Sequence, residues 1–319
     1  MGHMKKVLIT GGAGFIGANL VRRLLSAGEF EVVVIEKEGT NLWRLSDVID
    51  RITIRYTDLE DAVAVQNAAD EIQPHIVFHL AGYGVYASVQ TDVRTMIRVN
   101  IEGTLNLAEA LKNHPISSFV YTSTSLEYKE KESKLKEEDA SDPVNFYALT
   151  KSAGGQMLKQ FAKAHNLPVV NVRLFTAYGY YEDSKKLIPS IILHALRNQP
   201  IELSSPNNVR DFIFIEDVVD LFVRIITQER AHRGEMFNAG SGEQHSIQEA
   251  VGTVEKVLGR RLDVRYGQRP SYYAEPKVFV ADVAKAKKAF GWEPKHDFVS
   301  GITKTTEWFQ KNIHLYPVV

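Results

Sequence analysis

Lys6-Val-Leu-Ile-Thr10, Gly11-Gly-Ala-Gly14-Phe-Ile-Gly17 and Ala18-Asn-Leu-Val-Arg-Arg-Leu-Leu25 follow one another without a break. The first run is short and apolar and predicts a buried parallel strand; the last has helical periodicity. Gly11, Gly14 and Gly17 fall where strand becomes helix. Glycine there allows a tight turn, close approach of backbone to a pyrophosphate, and close packing of helix on strand. The helix N-terminus adds unpaired N–H groups and partial positive charge. Strand, loop and helix together predict a dinucleotide site and a doubly wound α/β sheet.

The rest of the composition narrows the class. A chain of 319 residues can bury a large core, as one big α/β domain or two unequal ones. Net charge is −1, so no overall basic field attracts nucleic acid or an anionic membrane. Cysteine is absent, which excludes disulfides and thiol catalysis and fits a cytoplasmic home. No apolar stretch reaches the length of a membrane span, no secretory h-region precedes the first strand, and no metal site is expected. Met1–Met4 (MGHM) reads as a cloning remnant. The charged stretch Lys129–Asp139 is expected to be a solvated loop over the sheet edge.

Further strands alternate with helices. Glu31-Val-Val-Val-Ile35 closes on Glu36, an acid about twenty residues past the glycine loop, placed to accept hydrogen bonds from an adenosine ribose and to repel a 2′-phosphate. That favours NAD; Lys37 beside it offers a cation for NADP. Arg51–Arg55 leads to Asp58, which either accepts from an adenine amino group or caps a helix starting near Glu60. Pro74–Ala81 is a fourth strand running into small residues, Ala81-Gly82, with His79 read as a satisfied core histidine. Asn100 and Gly103 cost propensity inside a long helix, which implies a packing or polar role. Ser118–Thr122 is the fifth strand, followed by Ser123-Thr124-Ser125; Pro143 opens an amphipathic helix with Tyr147 and Lys151 on one face. A parallel sheet puts its crevice at the strands' carboxyl ends, where both hydroxyl-bearing segments point.

Taken in order, these pieces resemble an extended short-chain dehydrogenase/reductase of the NAD-dependent epimerase/dehydratase branch, which acts on nucleotide sugars. The matching residues are Gly11–Gly17, Asp58-Leu59, His79-Leu-Ala81, Asn100, Thr124 and Tyr147-x-x-x-Lys151. They continue with Arg173-Leu-Phe175-Thr176-Ala-Tyr178-Gly179, Arg210-Asp211 through Asp217, Arg269-Pro270 and Gly291-Trp-x-Pro294. The resemblance implies a Rossmann-type domain over 5–175, with parts of 210–240 returning to it. It implies a smaller α/β substrate lobe over 176–319. It also implies a catalytic set of Thr124, Tyr147 and Lys151. Cofactor contacts would come from Gly11, Gly14, Phe15, Ile16, Gly17, Glu36, Lys37, Asp58, Leu59, Leu80, Ala81, Gly82, Asn100, Thr122, Tyr147, Lys151 and Phe175.

The chemistry is arguable from the residues themselves. An alcohol at a sugar carbon must lose a proton as hydride leaves, and a phenol near pKa 10 is a poor base at neutral pH. A nearby ammonium and a positive nicotinamide favour the phenolate; a shift of roughly three units represents about 4 kcal/mol. Tyr147 is thus the expected proton carrier, Lys151 its electrostatic partner and a ligand of the nicotinamide ribose, and Thr124 a hydrogen-bonding guide for the reacting oxygen.

For the substrate, the resemblance implies contacts from Ser88, Thr124, Thr176, Leu187, Ile188, Arg210 and Arg269, the two arginines on the diphosphate. Several positions depart from the family. Thr176 replaces a usual Asn, Tyr180 a Pro, and Ser271-Tyr-Tyr273 a Gly-Asp; Ser88–Asp92 lacks a usual proline. Sugar-nucleotide 4,6-dehydratases carry Asp-Glu directly after the catalytic Thr, where this chain has Ser125-Leu126. The expected reaction is therefore C4 epimerisation through a 4-keto sugar. An NADPH-dependent 4-ketoreductase is the alternative, with a dehydratase or a non-catalytic NAD(P) sensor behind it. The resemblance also implies a homodimer paired through the helices bearing Asn100 and Tyr147.

Overall fold

A computed structural model describes residues 4–85, 91–228, 232–268 and 277–317. The chain divides into two compact units. The first holds the chain to Lys129, Ala140–Leu174 and Val219–Phe237; the second holds Glu130–Asp139, Phe175–Val218 and the chain from Asn238 on.

The first unit alternates as its sequence periodicity requires: β1 (Lys5–Thr10), α1 (Phe15–Ala27), β2 (Phe30–Glu36), β3 (Thr53–Tyr56), α2 (Ala62–Ile72) and β4 (Ile76–His79). A broken helix follows: α3 (Val93–Ile97), a π-helical turn (Arg98–Glu102) and α4 (Gly103–Leu111). Then come β5 (Ser118–Thr124), α5 (Phe146–Ala164) and β6 (Val169–Leu174). The sheet order is β11-β6-β5-β4-β1-β2-β3, with the pairs from β3 through β6 all parallel; β11 (Met236–Ala239) forms the edge. Chain order reverses between β1 and β4, which opens a crevice at their carboxyl ends. Register sets Thr10 beside His79 and His79 beside Tyr121 across that point. One face of the sheet is closed by α2 and α4, whose Val65, Ala68, Leu107 and Leu111 pack on Leu8, Val77 and Phe119. On α7 (Ile215–Thr227) Phe222 meets Phe78 at 5.8 Å.

Local rules explain where helices begin. Asp61 caps α2 by accepting from Val63 N and Ala64 N, so this helix starts at Ala62 rather than near Glu60, and Asp58 is not its cap. Asn145 caps α5 by accepting from Ala148 N at 2.9 Å, so Pro143 stands in the approach to the helix, not in it.

The second unit is built from two-stranded pieces: β7 (Thr176–Tyr178) with β10 (Phe212–Phe214), β8 (Ile201–Leu203) with β13 (Val264–Tyr266), and β9 (Val209–Arg210) with β12 (His245–Ser246). Its helices are α6 (Leu187–Leu196), α8 (Ile247–Leu258), α9 (Ala284–Phe290) and α10 (Phe298–Lys311). A Ser246/Glu249 capping box opens α8, and Gly291 in the left-handed region closes α9. The charged stretch is the expected solvated loop at the sheet edge, with Lys129, Glu130, Glu132, Lys134, Lys136 and Glu138 exposed and Asn238 of β11 bonded to Leu135 O and Glu137, but one residue in it anchors the loop. Leu135 is buried, donates to Val280 O at 2.7 Å and accepts from Asp282 N at 2.8 Å, while Lys134 Nζ donates to Gly242 O at 2.7 Å. One apolar residue among eleven mostly charged ones anchors the segment. Among the described residues no helix is long and apolar enough to cross a membrane.

Candidate active site

The glycine loop leaves β1 with Gly11 at φ +74°, a conformation L side chains rarely adopt. A Cβ there would also lie 2.8 Å from Ala81 N, so the loop after β4 presses directly on it. At Gly17 a Cβ would lie 2.3 Å from Gly11 O, which is why the third glycine fixes helix against loop. Gly14 caps α1 with no side-chain hydrogen bond, leaving the first-turn N–H groups to meet an anion. These features fit a pyrophosphate.

Next to the loop, Glu36 Oε1 accepts from Ala13 N at 2.6 Å; burial raises the Glu36 carboxyl while this bond opposes the shift. Lys37 Nζ lies 2.6 Å from Asp58 Oδ2 and 3.8 Å from Glu60 Oε1, and Arg98 reaches Glu60 at 2.7 Å. The bond to Asp58 raises the Lys37 pKa. Asp58 Oδ1 also accepts from Glu60 N. Lys37 is therefore already neutralised by carboxylates, an arrangement suited to NAD and not to a 2′-phosphate.

On α5, beside the loop that follows β4, Lys151 is 2 % exposed. Its Nζ donates to Ala81 O at 3.3 Å and stands 4.5 Å over the Tyr121 ring, whose hydroxyl donates to Lys151 O at 2.8 Å. Burial drives the Lys151 pKa down to about 7, against an upward pull from Glu127. Burial likewise pushes the Tyr147 phenol up to about 12. The chain by itself thus holds both groups toward neutrality; the phenolate expected from the sequence is not a property of Lys151 alone. Thr124, at the end of β5, is buried and accepts from Leu126 N at 3.3 Å, which leaves its O–H available to donate. Thr122 donates to His79 O at 3.4 Å.

Asn100 sits in the π-helical turn and ties three segments together. It accepts from Tyr83 N and donates to Tyr83 O, both at 2.8 Å, and donates to Thr150 Oγ1 at 2.9 Å. His79 is a core residue: Thr104 Oγ1 donates to Asn100 O, so it accepts from Nε2–H, and Thr10 Oγ1 donates to Nδ1 at 2.6 Å. Burial, aided by Lys151, lowers the His79 pKa to about 3, keeping it neutral.

The first unit therefore brings Gly11 to Ala81, Glu36 to the loop, Lys37 to Asp58, and Lys151 to Ala81 beside Asn100. Phe15, Ile16 and Leu80 are half-buried and Leu59 is buried along the same strand ends and loop. In the second unit Phe175 is buried against Phe279 at 5.5 Å, and half-buried Thr176 bonds through its N–H to Asp211 O. Leu187 is half-buried and Ile188 buried on α6. Half-buried Arg210 donates to Val209 O at 2.6 Å. Asp211, a conceivable partner for it, spends its carboxylate on Ser241 N and Oγ, Gly242 N and Ala281 N. Ser88 and Arg269 lie outside the described residues.

Two buried features escaped the sequence reading. Glu127 and Arg173 form an ion pair at 1 % and 3 % side-chain exposure. Tyr121 lies under Lys151, and Gly154 makes room for it, since a Cβ there would be 2.8 Å from Tyr121 Oη. Gly154-Gly155 in mid-helix was the available signal.

A parallel sheet wound both ways, with its glycine loop at the switch point and a Tyr–Lys pair on the following helix, defines an extended short-chain dehydrogenase/reductase. The model of the NAD dependent epimerase/dehydratase family matches residues 7–240. The dTDP-glucose 4,6-dehydratase of Shigella flexneri is 28% identical over 96% of this chain and 93% of its own length. A structure of UDP-glucuronic acid 4-epimerase from Bacillus cereus, in complex with UDP-glucuronic acid and NAD, is 26% identical with a TM-score of 0.86, covering 96% of this chain and 99% of that one. UDP-glucose 4-epimerase from Thermus thermophilus, in complex with NAD, is 27% identical with a TM-score of 0.84 and the same coverage. The chain belongs to the NAD dependent epimerase/dehydratase family, and is an NAD(P)-dependent enzyme of nucleotide-sugar chemistry.

Proposed function

We propose that the protein is a nucleotide-sugar epimerase acting at C4 of the sugar, with NAD as its cofactor. Gly11, Gly14 and the first turn of α1 take the pyrophosphate, Glu36 the adenosine ribose, and Lys151 with Asn100's neighbourhood the nicotinamide end. NAD, when bound, supplies a reversible hydride acceptor and a positive charge. Tyr147 Oη receives the proton of the C4 hydroxyl as that carbon is oxidised, and returns it when the ketone is reduced from its other face. Thr124 donates to the same oxygen and orients it. Lys151, held by Ala81 O and the Tyr121 ring, biases the phenol toward its anion when charged. Thr176, Leu187, Ile188 and Arg210, with Ser88 and Arg269, remain the proposed substrate side.

The observation that carries this reading over a dehydratase is the composition of the turn after Thr124. Expelling a 6-hydroxyl needs an acid there, and Ser125 and Leu126 supply none. The next residue, Glu127, is a carboxylate, yet both its oxygens are spent on Arg173 and Ser123. A homodimer through α3 and α5 is supported by the exposure of Ile97, Phe146 and Leu149, large apolar side chains on those helices. A cytoplasmic location agrees with the absence of cysteine.

The test is a screen of UDP-, GDP-, CDP- and dTDP-hexoses read by NMR. Epimerisation gives the C4 epimer with no net change in NADH absorbance; net NADPH consumption makes the enzyme a ketoreductase, and a 4-keto-6-deoxy product makes it a dehydratase. Tyr147→Phe should keep NAD affinity and lose about 10²–10⁴-fold in turnover. Near-normal turnover would remove Tyr147 from its role.

A further inference from the structure

Glu127 and Arg173 are buried charges for which the proton transfer above has no direct use. A buried ion pair is no stronger a source of stability than a well-packed apolar pair, so its presence beside a reaction centre calls for an account. The bonds of Glu127 reach in two directions. Inward, Oε1 accepts from Arg173 Nε and Oε2 accepts from Ser123 Oγ at 2.8 Å. Ser123 and Arg173 are register partners across β5 and β6, so one carboxylate clamps both strands at the point where Thr124 emerges. The Arg173 guanidinium is itself held 4.2 Å over the Tyr128 ring.

Outward, the Glu127 carbonyl accepts from Asp142 N at 2.9 Å and from Ser141 Oγ at 2.9 Å. Flanking rungs extend this ladder: Val144 N to Leu126 O at 3.1 Å and Lys129 N to Ala140 O at 2.9 Å. The segment so fixed leads directly into Asn145, the cap of α5, and Tyr147 in its first turn. One residue thereby stands between the strand end bearing Thr124 and the approach that delivers Tyr147.

We propose that Glu127, through Arg173 and Ser123, is a positioning residue that holds Thr124 and Tyr147 in register for proton transfer. This rests on the Tyr147 assignment above. It also predicts a division of labour. Both carboxylate oxygens are taken by Arg173 and Ser123, so loss of the carboxylate should appear in kcat and in the local ladder, not in NAD affinity. Its charge acts on Lys151 in the same buried region, where Lys151 also stands over the Tyr121 ring and acts on His79, and Tyr147 and Glu127 in turn act on Tyr121.

The experiment compares Glu127→Gln, the paired apolar variant Glu127→Leu/Arg173→Met, and Tyr147→Phe. Each is measured for thermal midpoint, NAD affinity, amide hydrogen exchange and turnover of UDP-glucose. Glu127→Gln should lower kcat about thirtyfold with KM within about threefold, and speed exchange at Lys129, Asp142 and Val144 about tenfold while the β5 amides stay protected. The apolar pair, free of any stranded buried charge, should regain the thermal midpoint but neither kcat nor the slow exchange. Full recovery of exchange protection in that pair, or wild-type exchange in Glu127→Gln, overturns the proposal, and both readings hold even if UDP-glucose is not turned over. Wild-type turnover in Tyr147→Phe overturns the assignment beneath it instead. An inactive Tyr147→Phe beside a fully active Glu127→Gln removes only Glu127.

Discussion

Lys37 keeps 64 % of its side chain in water and lies 2.6 Å from a carboxylate; Lys151 keeps 2 % and has a carbonyl oxygen and an aromatic ring for company. The same ammonium is pushed in opposite directions. Lys37 rises because Asp58 stabilises its charge, whereas burial drives Lys151 down to about 7. A lysine pinned to its charge can only neutralise neighbours. One poised near neutrality changes state in response to what arrives beside it, which is what a reaction centre needs. The two lysines thus separate the proposed cofactor-binding surface from the proposed chemical site within one unit.

Replacing Lys151 gives the largest expected effect. Lys151→Met should cost about 10²–10⁴-fold in turnover, measured at saturating substrate. A second signature concerns folding. The unfolded lysine keeps its proton up to about pH 10.4, while the folded one loses it near 7, so the unfolded chain binds more protons between those values. Stability contributed at this site therefore rises with pH across that window. The stability of the cofactor-free wild type minus that of Lys151→Met, from denaturant titrations, should climb between pH 7 and pH 10. A flat difference would mean that Lys151 is charged throughout.

Both lysines could be picked out from sequence, but only their local settings were legible. Gly11–Gly17 and Tyr147-x-x-x-Lys151 are short-range patterns whose spacing alone puts residues on one turn or one helix face, and the sheet follows from alternation. Glu127 and Arg173 are far apart in the chain and meet only because β5 pairs with β6 in one register. No local pattern encodes that. Asp211 and Asp217 were illegible for a different reason. Each is buried and accepts backbone N–H groups from distant segments: Ser241, Gly242 and Ala281 for Asp211, and Lys295 and His296 for Asp217, which also sits in the first turn of α7. Backbone donors carry no residue identity, so a sequence gives no sign of where they go. The long charged stretch was legible as a solvated loop, but its composition gave no sign that Leu135 is buried and anchors it.

A middle-sized effect is expected at Glu36, which works on the same side as Lys37 but with the opposite charge. Glu36→Gln keeps an acceptor for Ala13 N, so the glycine loop should hold its shape. It removes the negative charge that faces an adenosine 2′-phosphate. The ratio of NADP to NAD affinity should rise about tenfold, a change of about 1.4 kcal/mol, in fluorescence titrations of each cofactor. An unchanged ratio would mean that discrimination lies elsewhere.

Lys37→Ala should do least, and for that reason it tests the comparison most sharply. If Lys37 were the anchor of an NADP phosphate, its loss would weaken NADP binding at least tenfold and leave NAD alone. Its observed partners are Asp58 and Glu60, so its charge is already met by two carboxylates before any phosphate arrives. An exposed ion pair of this kind contributes only about 0–1 kcal/mol, and removing its cation leaves solvated acids rather than a buried orphan. NAD and NADP dissociation constants should both stay within about threefold of wild type, with any shift running against NADP because Asp58 and Glu60 lose their counter-charge. A tenfold selective loss of NADP affinity would move Lys37 from neutralising its neighbours to holding the cofactor, and would turn the expected preference of the enzyme toward NADP.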